Sequence, residues 1–217
     1  MKALRKDSAE TRRRLLQAAG EVFAAKGFRD ATTAEICRKA NANVAAVNYH
    51  FGSKQALYVE AWRHSFQRSL KAHPPDGGVG PEAAAEERLR GRILSLMQRM
   101  SDPDNHEFEI MHKELVNPTG LLSEVMLQSI EPIRQGLRAV VQELLGAGAT
   151  EQQVRLCQMS IRAQCFDPMF RKRRNRKAPG RPGGVADTEA RADHITRFSL
   201  AGIRSVRREI EEKEVQS

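Results

Sequence analysis

The chain has 217 residues, long enough to bury a core without disulfides or a metal. Apolar residues make up 40% and charged residues 29%, which excludes a wholly disordered chain, and no apolar run nears the roughly 18 residues of a membrane span. Aromatics at 5% disfavour a β-sandwich or barrel, and a formal charge of +9 points to a polyanionic partner without fixing a fold.

The charge is unevenly placed. Residues 1–70 hold 13 Lys/Arg against 6 Asp/Glu, and residues 171–184 hold 7 Lys/Arg and no acid. The remaining residues are mildly acidic, with 16 against 21. A nucleic-acid partner is therefore expected at the N-terminus first. The start, Met1 to Asp7, turns polar without an apolar segment, so no signal peptide is read there, and a cytoplasmic protein is expected. Three cysteines, Cys37, Cys157 and Cys165, fit a reducing compartment.

The chain reads as helices throughout. Asp7 or Ser8 is expected to cap the first, with Asp7 and Glu10 at capping-box spacing. Leu15, Ala19, Val22 and Phe23 form its apolar face, and Gly27 suits the left-handed position after its last turn. Thr32 and Glu35 form a second capping box, opening a short helix that points Ile36 and Ala40 inward. Asn41-Ala42-Asn43 ends it, because Asn side chains compete for backbone bonds. Asn43 is expected to cap a third helix from Val44 to His50, broken by Gly52-Ser53. A longer fourth helix runs from Lys54 toward Leu70, with Trp62 and Phe66 buried.

Residues 73–81 hold Pro and Gly enough for an exposed loop. Beyond it, Leu89, Ile93, Leu96, Met97 and Met100 form a stripe ended by Asp102-Pro103. Phe108, Met111 and Leu115 form another, ended by Asn117-Pro118. A long helix is expected over 121–145, with Pro132 inside it and Gly146-Ala147-Gly148 after it. Thr150-Glu151 reopens a helix toward Phe170, and Asp187 or Thr188 opens a last one. The fold class is all-α, with about nine helices. The expected domains are a helix-turn-helix at 1–53, a linking helix at 54–72, and a helical body at 82–217. A mobile basic loop at 171–186 interrupts that body.

Residues 32–57 read TTAEICRKANANVAAVNYHFGSKQAL. Thr32, Ile36, Ala40, His50, Phe51, Lys54 and Leu57 stand at the spacing by which this segment resembles the DNA-binding domain of TetR/AcrR-type transcriptional regulators. The phrases CQMSIRAQC and ADHITRFSLAGI look similar to a CecR-like subgroup of them. A recognition helix sets its N-terminal residues against base edges in the major groove. Here those are Asn43, Val44, Ala45 and Ala46, small enough for close approach. Asn48 is suited to adenine, and Tyr49 and His50 to phosphates or bases. Thr32 or Thr33 at a helix start and Lys54 suit phosphate. Where the family places an aromatic two residues before the His, this chain has Asn48, with Tyr49 adjoining.

The resemblance implies a homodimer on palindromic double-stranded DNA, joined by the last two long helices. Ser160, Ala163, Phe198, Ala201 and Gly202 are the candidate contacts. It also implies a small-molecule effector site in the body. The candidate lining is Met97, Met100, Phe108, Met111, Met126, Ile130, Arg162 and Cys165, with His112, Glu114 and Gln164 as further polar candidates. No cofactor, metal or membrane partner is expected. Nothing has structural-zinc spacing, and no phosphate-binding glycine loop or nucleophile–base set is present, so no enzyme is read. The alternatives are a nonspecific nucleoid-type DNA binder and a thiol-based redox sensor using Cys157 or Cys165.

Overall fold

The computed structural model describes residues 2–171 and 185–215, with the backbone alone described for 2–6, 167–171 and 185–186. Most of the basic loop therefore lies outside the described residues. Nine helices and no strand occur among the described residues: α1 (Lys2–Asp30), α2 (Thr33–Lys39), α3 (Ala45–Phe51), α4 (Lys54–Ala72), α5 (Ala85–Ser101), α6 (Glu107–Val116), α7 (Ser123–Leu145), α8 (Glu151–Arg171) and α9 (Val185–Val215). The all-α reading holds.

Several ends differ from expectation. α1 starts at Lys2, so Asp7 and Ser8 lie inside it and cap nothing. Lys2 to Lys6 contains no breaker, and Glu10 turns forward to Arg13 at 2.6 Å instead of back to a cap. Gly27, with the positive φ of 80° expected of it, does break the helix, and the stretch to Asp30 is a short turn beyond that kink. α3 begins at Ala45, one residue late, and α9 begins at Val185, two residues early. Leu115 is 62% exposed, not core. The buried face of α6 instead runs through Glu107, Phe108, Ile110, Met111 and Glu114.

The helices group into two compact units. The first comprises 1–71 and 103–128, and the second 72–102 and 129–217. In the first, α1 packs against α2, α3 and α6. Its core stacks Trp62 on Phe66 at 5.1 Å and sets Phe23 edge-on to Tyr58 at 4.8 Å. Leu15, Ile36 and Leu57 are fully buried around them.

In the second unit α5 is central, packed on α8 and α9. Leu89, Ile93, Met97, Val141, Val154 and Ile195 fill its core. The 73–81 loop docks on α5 backbone to backbone. Gly77 has φ +69°, and a Cβ there would lie 2.4 Å from the Gly91 carbonyl oxygen. A Cβ on Gly91 would lie 2.5 Å from the Asp76 carbonyl oxygen. Gly91→Ala is therefore expected to destabilise this unit by about 1–3 kcal/mol, read from urea unfolding. An unchanged midpoint would show that the loop moves aside freely.

Candidate nucleic-acid interface

The site is built on two short helices. Thr32 Oγ1 accepts from the Glu35 amide at 3.2 Å, capping α2. The Glu35 side chain does not complete the box. It pairs with Lys26 Nζ at 2.7 Å, which fastens α2 to the end of α1. The turn follows: Asn41 takes a left-handed φ of 48°, and the Ala42 amide donates to the Cys37 carbonyl at 2.9 Å. Asn43 Oδ1 then accepts from the Ala45 amide at 2.9 Å. Asn43 thus holds an α3 amide as expected, although the N-cap position itself falls on Val44, which makes no side-chain cap.

α3 has one deep anchor, Val47, which is 1% exposed. A helix of seven residues held on one face presents the opposite face to solvent. That face carries Asn43, Val44, Ala45, Asn48 and Tyr49, all exposed or nearly so, with Ala46 and His50 half-buried at its margins. Tyr49 is 79% exposed, so it belongs to the outer face and not to the core. Its ring meets His50 edge-on at 4.8 Å. Phe51 is half-buried under the Arg12 guanidinium at 5.2 Å.

Thr32 is exposed and Thr33 half-buried at the start of α2. Lys54 Nζ lies 4.5 Å over the Phe28 ring, held there by the negative face of the aromatic. Arg38, in the last turn of α2, is exposed and makes no ion pair among the described residues. The sequence reading passed it over, although a basic residue closing the first helix of the motif was visible. His64 on α4 is held below its ordinary range, first by burial and then by Arg68, Arg12 and Arg13.

The effector candidates do not collect in one unit. Phe108, Met111 and Met126 lie in the first, and Met97, Met100, Ile130, Arg162 and Cys165 in the second. Met97 and Cys165 belong to the same buried cluster. Glu114 is buried and bonded within the first unit, to Tyr58 Oη at 3.1 Å and to the Thr119 and Gly120 amides at 2.9 Å each. His112 is half-buried, and Gln164 donates to the Ser160 carbonyl and Ser199 Oγ.

The dimer candidates Ser160, Ala163, Phe198, Ala201 and Gly202 lie on α8 and α9, which pack side by side, and all five are exposed there. Leu156 and Met159 are also exposed on α8. With Ser160 and Ala163 they form an i, i+3, i+4, i+7 stripe that the sequence reading did not assemble.

Burial pushes up all three thiols, Cys165 to about 12. The thiolate is the reactive form, so this opposes a redox-sensing role. In the native protein at pH 8, Cys157, which is half-buried, is expected to react with a thiol reagent before Cys165. The neutral Cys165 contributes stability fully below the unfolded thiol value and loses that contribution as pH rises toward 12. Faster labelling of Cys165 than Cys157 would contradict this order. Among the described residues, no cluster of three or more His, Cys, Asp or Glu is placed to hold a metal, and no helix is long and apolar enough to cross a membrane.

An all-helical chain that offers the outer face of a short helix behind a capped turn is, by class, a helix-turn-helix protein. The sequence model for bacterial regulatory proteins of the tetR family matches residues 15–61. That for the C-terminal domain of the HTH-type transcriptional dual regulator CecR matches residues 85–203. The chain is 30% identical over 133 residues to the uncharacterized HTH-type transcriptional regulator TtgW of Pseudomonas putida, covering 61% of this chain and 95% of TtgW. It is 29% identical over 143 residues to the HTH-type transcriptional regulator SrpR, also of Pseudomonas putida, covering 65% of this chain but only 64% of SrpR. A transcriptional regulator from Rhodococcus sp. Rha1 superposes with a TM-score of 0.66 at 21% identity, covering 88% of this chain and 96% of that one. The chain belongs to the TetR family of bacterial transcriptional regulators and carries a CecR-like C-terminal domain.

Proposed function

We propose that this protein is a transcriptional repressor that binds a palindromic operator as a homodimer and is released by a small-molecule effector. The observation that carries the reading is the outer face of α3, where Asn43, Ala45, Asn48 and Tyr49 stand clear of the core while Val47 fixes the helix from below. Asn48 hydrogen-bonds an adenine edge, and Val44 and the alanines meet thymine methyls. Thr32, Thr33, Tyr49, His50 and Lys54 position the protein on phosphates. The charge of 13 Lys/Arg against 6 Asp/Glu over residues 1–70 supports the same partner.

One such motif reads one half-site. The exposed apolar and small residues of α8 and α9 support pairing through these helices, and twofold pairing places the two recognition helices about 34–36 Å apart. Release requires an effector that favours the arrangement unable to bind DNA, since equal affinity for both would shift nothing. α4 carries the chain out of the first unit, so it is the lever of that shift. The protein acts in the cytoplasm, where its operator is.

The test is selection of bound sequences from random DNA by the purified full-length chain. The expected result is a palindrome with half-sites roughly 10 base pairs apart. Enrichment of no sequence would support a nonspecific nucleoid-type binder instead. Operator affinity measured across a metabolite and antibiotic panel tests release. A constant affinity throughout would remove the effector from the proposal.

A further inference from the structure

This inference rests on the effector reading and names the chemistry of its ligand. A partly buried guanidinium is costly unless an anion meets it. In the second unit some such groups are met. Arg88 holds Glu143 at 2.5 Å, and Arg138 holds Glu151. Arg92 is not paired among the described residues: its Nε is buried without a partner, and Asp76 is the acid whose charge faces it.

Arg162 is not met either. It is half-buried on α8 and makes no hydrogen bond or ion pair among the described residues. Burial first, and then Arg134, hold its guanidinium below the ordinary range, while Glu131 opposes them. Arg134 stands across from it on α7. Gln158 Nε2, one turn before Arg162, donates to the Arg134 carbonyl at 3.0 Å, and Arg138 pairs with Glu151. Those two contacts run α7 and α8 antiparallel, so α7 toward Ile130 follows α8 toward Phe166. Arg134 Nε is itself buried without a partner. Its Nη1 is 3.9 Å from Glu131, whose carboxyl also accepts from Gln135. Two guanidiniums thus share one carboxylate, which leaves one positive charge unmatched.

We propose that Arg134 and Arg162 form the headgroup site of an amphiphilic organic carboxylate, its apolar part lying toward Ile130 and Phe166. Guanidinium forks match a carboxylate in bidentate geometry, and a single unmatched charge suits a monoanion. Ile130 lies one turn from Arg134 and Phe166 one turn from Arg162, both half-buried.

The test is calorimetric titration of the full-length protein with octanoate and benzoate below any micellar concentration. Octanol and inorganic phosphate serve as comparisons. At least one carboxylate is expected to bind, at least tenfold more tightly than octanol. Arg162→Gln and Arg134→Gln are each expected to weaken it tenfold or more without changing the octanol titration. Should Arg162→Gln fail to fold, Arg162→Lys, which keeps the charge and loses the fork, is expected to weaken the carboxylate as well. The proposal is overturned if neither carboxylate binds, if binding is unchanged in these variants, or if phosphate binds more tightly. Operator binding separates it from the reading beneath it. A carboxylate that binds at Arg162 and leaves operator affinity unchanged overturns the effector reading and supports the site. Operator release that is undiminished in Arg162→Gln overturns the site and keeps the effector.

Discussion

Replacing Glu114 by alanine is expected to lower the stability of the first unit by about 2–4 kcal/mol, the larger part from one buried hydroxyl. Its carboxyl oxygens accept from Tyr58 Oη at 3.1 Å, Thr119 Oγ1 at 2.9 Å, and the Thr119 and Gly120 amides at 2.9 Å each. Tyr58 is fully buried, and first burial and then Glu114 push its phenol upward, so the hydroxyl stays a donor. Without Glu114 that donor has no acceptor, whereas the half-exposed turn at 119–120 can rehydrate. Tyr58→Phe removes the donor and leaves Glu114 its turn contacts, so about 1 kcal/mol is expected. The double variant should cost less than the sum, because the stranded hydroxyl is gone. Urea unfolding of the four proteins gives the cycle, and strict additivity would refute the coupling.

Asn48→Ala is expected to weaken operator binding tenfold to a hundredfold, corresponding to about 1–3 kcal/mol of lost base recognition. Asn48 is exposed, so the melting temperature should hold while affinity falls. Val47→Ala should do the reverse at first. It removes the anchor of α3, lowering stability, and affinity follows because the outer face is no longer held. Fluorescence anisotropy with operator DNA, paired with thermal melts, separates the two. A loss of affinity for Asn48→Ala that also appears with random DNA would assign the residue to the backbone rather than to bases.

The helical pattern was legible because apolar residues recur every three to four positions and Thr, Asn, Gly and Pro mark the ends. It failed where polar groups are buried. Leu115 looked like core because α6 was phased on its apolar residues, but Glu114 is turned inward by Tyr58 and Thr119. No periodicity can show a carboxyl held by a hydroxyl on another helix and by the turn that follows its own. The start of α1 was hidden because Asp7 and Glu10 imitate a capping box whose acid in fact pairs forward. On α3 the residue types were readable and their directions were not. Tyr49 faces outward because Val47 takes the buried position of this short helix. In the sequence Arg162 is one of several polar residues on an apolar helix. Its lack of a partner is a property of space, not of sequence.

The first unit is written in two pieces, residues 1–71 and 103–128, with α5 between them. A ribosome therefore delivers the helix-turn-helix well before the α6 segment that α1 packs against. Until about residue 128 has emerged, Tyr58 lacks Glu114 and the inner side of α1 lacks its cover. The DNA-reading half of the chain thus completes its fold only after α5 has been made, and a fragment ended at residue 71 would carry the reading face on an unfinished support.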